Sequence, residues 1–134
     1  MKVLYTVLFM FILSVSVNAQ TKSQIKELNI KSTSVWSYDY STGKEVKKLD
    51  QVEKFNNRGQ VIQLIDYDKN GKQKERITYS YNDNGDITEE KYYDETDKIA
   101  KAYKYTYEDQ LKKTKEKYDD KGNLIWKKVY VYEM

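Results

Sequence analysis

The sequence of 134 residues contains no cysteine, no histidine and no proline, and these absences exclude several classes of protein. Without cysteine there is no disulfide, no thiol nucleophile and no thiolate ligand for zinc or an iron–sulfur cluster. Without histidine, the Ser–His–Asp and Cys–His catalytic arrangements are excluded as well. The net charge of +3, from 24 basic and 21 acidic residues, is too small to indicate a nucleic-acid partner. We therefore expect no cofactor and no metal ion.

The only long apolar segment lies at the start of the chain, and it has the arrangement of a secretory signal peptide. Lys2 precedes an apolar run over 3–13, and small residues occupy the −3 and −1 positions of a cleavage site after Ala19. The run is shorter than the roughly 18–20 residues that span a bilayer. We expect residues 1–19 to be removed during Sec export to the periplasm, the cell surface or the medium. The remaining chain should not span a membrane, and its polar lead-in, residues 20–30, is either flexible or a short helix.

The rest of the chain repeats a turn motif: an aromatic residue, a glycine four positions later and an aliphatic residue six positions later. Segment 118–124 (YDDKGNL) has all three features, as do 55–61 and 81–87, and looser copies begin at Tyr67 and Tyr93. Asp and Asn bond to their own backbone in turns, and Gly adopts positive φ without steric cost, so the motif predicts hairpin turns. The glycines of the chain all lie in these turns: Gly43, Gly59, Gly71, Gly85 and Gly122.

Between the turns, side chains alternate in character with the period of two that is typical of half-buried antiparallel strands. The sequence therefore predicts an all-β fold, a repetitive antiparallel β-meander of about eight strands joined by short Asp/Asn/Gly hairpin turns. The sheet is either open and curled or closed into a small barrel. The predicted strands cover residues 31–40, 45–55, 60–67, 72–81, 86–93, 98–107, 111–118 and 124–132.

The spacing of the aromatic residues that begin the turns predicts which face of the sheet they occupy. From Phe55 to Tyr107 the intervals are 12, 14, 12 and 14 residues. Because strand side chains alternate between faces, even intervals predict that these aromatic residues share one face. The next interval, from Tyr107 to Tyr118, is 11 residues, which predicts a shortened turn or a bulge at that point.

The turn motif carries a resemblance to a known family. Segment 118–124 resembles the YD repeat of Rhs-type proteins, whose core reads Tyr-Asp-x-x-Gly-Asn/Arg-Leu, and the resemblance extends over about residues 38–132. The spacing is also similar, more weakly, to that of MORN-like repeats. The resemblance implies that residues 31–134 form one YD-like β-repeat domain of a secreted or cell-surface protein, and that its ligand is a carbohydrate.

The aromatic side chains are the candidate binding residues. Trp36, Tyr38 and Tyr40 lie at alternate positions of the first strand, so their rings form a row that could stack on sugars; Trp126 lies in a similar setting in the last strand. The alternative is that these residues face the core. Pairs of acidic residues in the turns could bind calcium or serve as the two carboxyl groups of a glycosidase. Acidic residues in turns, however, commonly hydrogen-bond to the turn backbone and lie in solvent. We therefore expect no enzyme.

These observations favour an exported, non-enzymatic protein of the bacterial cell envelope that acts as a binding or structural module, with polysaccharide as the ligand. The alternative is a protein-interaction module, such as an immunity or accessory factor, that pairs with another envelope protein through a sheet edge or the Tyr-rich face. Self-association is open as well, because a large aromatic face on an open sheet needs to be covered.

Overall fold

A computed structural model describes residues 22–134 as one antiparallel sheet of eight strands in chain order. In the described residues each strand pairs only with its neighbours in sequence, so the sheet is open and no ladder joins the first strand to the last. The predicted all-β meander is confirmed, in its open form. The predicted signal peptide, residues 1–19, lies outside the described residues. The strands are β1 Ser32–Asp39, β2 Val46–Phe55, β3 Val61–Tyr67, β4 Gln73–Tyr81, β5 Ile87–Tyr93, β6 Ile99–Glu108, β7 Leu111–Tyr118 and β8 Leu124–Val129.

Most of the hairpin turns are held by the side chain of their first residue. In the β3–β4 turn, Asp68 Oδ1 accepts hydrogen bonds from the backbone N–H groups of Asn70 at 2.8 Å and Lys72 at 3.0 Å. Gly71 then adopts a φ of 76°, and its N–H donates to the Asp68 carbonyl oxygen. Asp94 and Asp119 make the same pair of bonds in later turns. The backbone of these turns is therefore fixed by hydrogen bonds within the turn itself.

The β5–β6 turn has Asp97 where five of the other turns have glycine. Asp97 adopts a φ of 63°, and its carboxylate accepts a hydrogen bond from Arg76 at 2.9 Å. This hydrogen bond lowers the pKa of Asp97, and Gln73 lowers it further. The Arg76 guanidinium also lies over the Tyr93 ring, 3.7 Å from its centroid. Interactions with the neighbouring strand thus compensate for the strained conformation of a residue with a Cβ.

Each hairpin has an extra residue in its second strand, which is a β-bulge. Lys54 pairs with Gln63 and Phe55 pairs with Val61, so Ile62 is left unpaired in β3. The equivalent residue is also left unpaired in four later strands. A bulge shifts the alternation of side chains by one residue, so the spacing along the chain no longer gives the face directly. The four equivalent residues are Lys74, Thr88, Ala100 and Ile125.

The prediction that the turn-forming aromatic residues share one face is wrong for this reason. Tyr79 pairs with Glu90, so Tyr81, two residues along, shares a face with Tyr92 and not with Tyr93. The aromatic residues that begin successive turns therefore alternate between the faces. The 11-residue interval before Tyr118 is explained by the shortened turn, because the β6–β7 turn has only two residues, whereas the bulge in β7 is shared with the other hairpins.

Tyrosines that belong to every second hairpin repeat one hydrogen bond. The hydroxyl of Tyr81 donates to the Val61 carbonyl oxygen at 2.6 Å, and that of Tyr107 donates to the Ile87 carbonyl oxygen at 2.7 Å. Tyr132 makes the equivalent bond to Lys112 at 2.9 Å. In each case the acceptor lies 20 residues earlier in the chain. The structural repeat is therefore a pair of strands, and Tyr132 belongs to it although it starts no turn.

The segment before β1 covers one end of the sheet. Residues 22–27 form a short helix, and its Ile25 is 7% exposed. Ile25 and the buried Phe55 line the same cleft beside the β2–β3 turn. The helix lies so close to this turn that a Cβ on Gly59 would be 2.8 Å from the Lys22 carbonyl oxygen. Glycine at this position thus serves both the turn and the packing of the helix.

We expect Gly59→Ala to lower the free energy of unfolding by clearly more than Gly71→Ala. Both glycines have nearly the same φ, 74° and 76°, so each substitution costs about 1 kcal/mol of backbone strain. Only at Gly59 does the new methyl group meet the helix, whereas a Cβ at Gly71 meets nothing within 4 Å. Urea unfolding of both variants measures the difference. Equal losses would contradict the packing of the helix on the turn.

Candidate binding surfaces on the two faces of the sheet

Cross-strand pairing assigns the central side chains to two faces. Ile77 pairs with Leu64 on one side and with Tyr92 on the other, so these three side chains share a face. Pairing of Glu90 with Tyr103 extends this face to the last strands. We call it the tyrosine face, and the aromatic residues in its central part are Tyr79, Tyr92, Tyr103, Tyr105 and Trp126.

Three rings on the tyrosine face form a chain across β5, β6 and β8. The centroids of Tyr92 and Tyr103 are 5.7 Å apart in an edge-to-face arrangement, and those of Tyr103 and Trp126 are 6.1 Å apart. Such pairs contribute about 0.5–1.5 kcal/mol each beyond the area that they bury. The rings thus pack against one another within a single layer, with no second layer of this chain above them in the described residues.

Lysines cover the rings of this half of the face. Lys101 Nζ lies 4.6 Å from the Tyr92 centroid, and Lys115 Nζ lies 4.7 Å from that of Tyr103. Lys112 is 4.8 Å from Tyr105. These distances are typical of cation–π interactions. Two more lysines lie on this half: Lys117 pairs with Tyr103, and Lys128 lies over Trp126. The five lysines place five positive charges on β6 to β8.

The other half of the tyrosine face carries carboxylates. Burial raises the pKa of Tyr79, and the charges of Glu90, Glu75, Asp66 and Glu53 raise it further, in that order. These four acids lie on β2 to β5. The tyrosine face is therefore bipolar, with an acidic half on β2–β5 and a basic half on β6–β8.

The boundary between the halves perturbs two tyrosines. Burial, followed by the charge of Glu90, raises the pKa of Tyr92 to about 12. Its hydroxyl lies 3.4 Å from a Glu90 carboxylate oxygen. The same two causes raise the pKa of Tyr105, which is only 9% exposed. The neutral phenol is thus the form that the folded protein favours at both positions.

The row of aromatic residues on β1 occupies the opposite face. Thr33 pairs with Glu53 on the tyrosine face, so Trp36 and Tyr38, an odd number of positions along β1, point the other way. Trp36 and Tyr38 are each 47% exposed, and Tyr40, in the turn that follows, is 62% exposed. We call Trp36, Tyr38 and Tyr40 the tryptophan row.

Lys47 gives the tryptophan row a positive charge. Its Nζ lies 4.3 Å from the Trp36 ring centroid and 5.7 Å from that of Tyr38. Beyond it, the Tyr40 hydroxyl donates a hydrogen bond to Glu45 at 3.1 Å. The row therefore combines exposed ring faces with one cation and one hydrogen-bonded phenol.

The structure brings together three of the four aromatic residues singled out from the sequence. Trp126 belongs to the tyrosine face and lies on the far side of the sheet from the tryptophan row. The five turn glycines all have positive φ and lie in the hairpin loops, where they shape the backbone. The bipolar charge of the tyrosine face was missed, because the bulges hide which lysines and acids share a side.

Within residues 22–134, no three Asp or Glu side chains lie close enough together to hold a metal ion. The same part of the chain contains no helix with the length and apolar character needed to cross a membrane.

Comparison with known proteins gives distant structural similarity alone. No family model matches the sequence, and no curated protein matches it. Among solved structures, TarM is 14% identical with a TM-score of 0.36, and the match covers 87% of this chain and 26% of TarM. A DUF3836 family protein from Parabacteroides distasonis is 20% identical with a TM-score of 0.29, over 69% of this chain and 81% of that one. This chain thus spans about a quarter of TarM.

We expect the folded protein to lose stability between pH 10 and about 12. The pKa of Tyr92 is raised above its ordinary value of 10, so the fold favours the neutral phenol. That preference stabilises the fold below pH 10 and is lost as the pH rises through the folded value. The ultraviolet absorbance of tyrosinate, followed during an alkaline titration, measures it. Tyr92→Phe should lack an ionisation near pH 12; an unchanged titration curve would contradict the assignment.

Proposed function

We propose that this chain is an exported, non-enzymatic binding module of the bacterial cell envelope, and that its tryptophan row binds polysaccharide. The observation that carries the proposal is the exposure of Trp36, Tyr38 and Tyr40 along one strand and turn. Alternate residues of a strand are about 6.6 Å apart, so successive rings can lie under successive parts of a sugar chain. Lys47 beside the row would attract a carboxylate or phosphate on the sugar.

The export part of the proposal rests on the signal-peptide pattern of residues 1–19 and on the resemblance to YD repeats. Both agree with a chain that has no cysteine and holds its hairpins by local polar bonds. A protein of this kind needs no disulfide formation after export. The resemblance to YD repeats also supports carbohydrate as the class of ligand.

The state of the carboxyl groups supports a binding role without catalysis. A glycosidase needs one carboxyl group with a raised pKa to act as the acid. Hydrogen bonds from backbone N–H groups lower the pKa of the turn acid Asp68, and mainly the same kind of bond lowers that of Asp119. Each shifted carboxyl pKa among residues 22–134 is shifted downwards, which favours the ionised form at neutral pH.

A protein partner at the sheet edge is the second candidate function. The edge strand β8 carries Ile125 and Val129, which are 54% and 59% exposed, and Val131 beyond it is 81% exposed. The unpaired backbone groups of an edge strand can hydrogen-bond a strand of another protein. An immunity or accessory factor would use this edge.

The test is binding of the chain from residue 20 onward to a glycan array. We expect specific binding that Trp36→Ala weakens by about tenfold or more, because the largest ring of the row is removed. Trp126→Phe is the matched control: it changes the other tryptophan, on the opposite face, and should leave glycan binding unchanged.

Two results would overturn the glycan proposal. One is a folded protein that binds no glycan on the array, which would leave the sheet edge as the favoured binding site. The other is glycan binding that Trp36→Ala leaves intact. Circular dichroism of each variant establishes that the sheet is still folded when binding is measured.

A further inference from the structure

The tyrosine face is an aromatic surface without a second layer. A sheet normally buries one face against another element, whereas four of the five rings on this face, those of Tyr79, Tyr92, Tyr103 and Trp126, are only half-buried. The short helix 22–27 lies at the β2–β3 turn. The two clefts that it lines there contain no residue of β6, β7 or β8. In the described residues, only the side chains of Lys115 and Lys128 lie over Tyr103 and Trp126, and no second layer of backbone does.

Charges on the two faces are arranged in opposite ways. On the face away from the tyrosines, Glu89 pairs with Lys104, Lys104 with Glu116 and Glu116 with Lys127, so signs alternate from strand to strand. These charges compensate one another within the chain. The tyrosine face instead separates its charges, with the acids on β2–β5 and the lysines on β6–β8.

We propose that the tyrosine face is covered by the tyrosine face of a second copy of this chain, in a two-fold symmetric dimer. The two-fold axis lies in the interface, parallel to the strands and between β5 and β6. Rotation about it places the acidic half of each copy over the basic half of the other. The contact is isologous, so the same opposition of charges occurs twice. The two sheets form a sandwich with the rings between them, at the spacing of about 10 Å that is usual for packed sheets.

The bipolar charge selects a second copy over other occupants. An acidic polysaccharide would pair with the lysines of β6–β8 but would meet Glu53, Asp66 and Glu75 on the rest of the face. A uniformly basic partner would have the opposite conflict. Complementary charge improves an interface, and like charges opposite each other cost several kcal/mol. The chain itself carries the complementary pattern.

The dimer leaves the proposed glycan site open. The tryptophan row lies on the opposite face, so each dimer presents two rows on its outer surfaces. Two sites on one particle strengthen binding to a polymer that carries many copies of the ligand. The dimer does not depend on the identity of that ligand.

The test is sedimentation equilibrium of the chain from residue 20 onward, with two charge-reversed variants. One variant carries Glu53→Lys and Glu75→Lys, which removes the net negative charge of the acidic half. The other carries Lys115→Glu and Lys128→Glu, which removes most of the net positive charge of the basic half. We expect the unaltered protein to be a dimer at about 100 μM, each variant alone to associate at least tenfold more weakly, and an equimolar mixture of the two to form a heterodimer.

The matched control reverses the same number of charges elsewhere. Lys54→Glu with Lys69→Glu changes one exposed residue on the opposite face and one in a turn, and this variant should dimerise like the unaltered protein. Where a double variant does not fold, the single variants Glu75→Lys and Lys128→Glu replace it. Higher salt should weaken the dimer, because it screens the charges.

A monomer at about 100 μM would overturn the proposal. So would a dimer that both variants leave intact, because the contact would then lie on another surface, such as β8. Failure of the mixture to associate, with both variants folded, would equally contradict the charge opposition. None of these results bears on glycan binding by the tryptophan row, which the array measures separately.

Discussion

A pair of hydrogen bonds in the hairpin turns is the interaction on which the rest of the structure depends. The side-chain oxygen of the first turn residue accepts the N–H groups two and four residues later, as Asp68 and Asp119 do, and a residue with positive φ completes the turn. Four hairpins, those whose turns begin at Asn56, Asp68, Asp94 and Asp119, are thereby fixed by residues within one short segment. Within residues 22–134 each strand pairs only with its neighbours in sequence, so the strand pairing of the sheet is local.

An open meander built in this way has two faces and few buried side chains. The bulge in each hairpin decides which side chains share a face, and it divides the chain's two tryptophans between them. One face keeps its charges in alternating order and carries exposed rings at one edge. The other gathers Tyr92, Tyr103 and Trp126 and separates its charges into halves. The proposed glycan binding by the tryptophan row and the proposed dimer contact of the tyrosine face follow from this difference between the two faces.

The strands and turns could be predicted from the sequence, but the side chains that share a face of the sheet could not. Predicted and observed strand limits agree closely, β7 completely, because Asp, Asn and Gly set the turns locally. The face assignment failed because an unpaired residue such as Ile62 or Thr88 looks like any other strand residue in the sequence. Trp36 is half exposed because β1 lies at the sheet edge. Whether it shares a face with Trp126 depends on the bulges, because each bulge shifts the alternation of side chains by one residue.

The claim that the two faces have different roles is tested most directly by quenching the fluorescence of each tryptophan. Trp126→Phe leaves only Trp36 as the reporter, and Trp36→Phe leaves only Trp126. With acrylamide as the quencher, the account predicts that Trp126 becomes protected as the protein concentration rises, while Trp36 stays accessible until a glycan is added. Equal quenching of both tryptophans at every protein concentration would contradict the account.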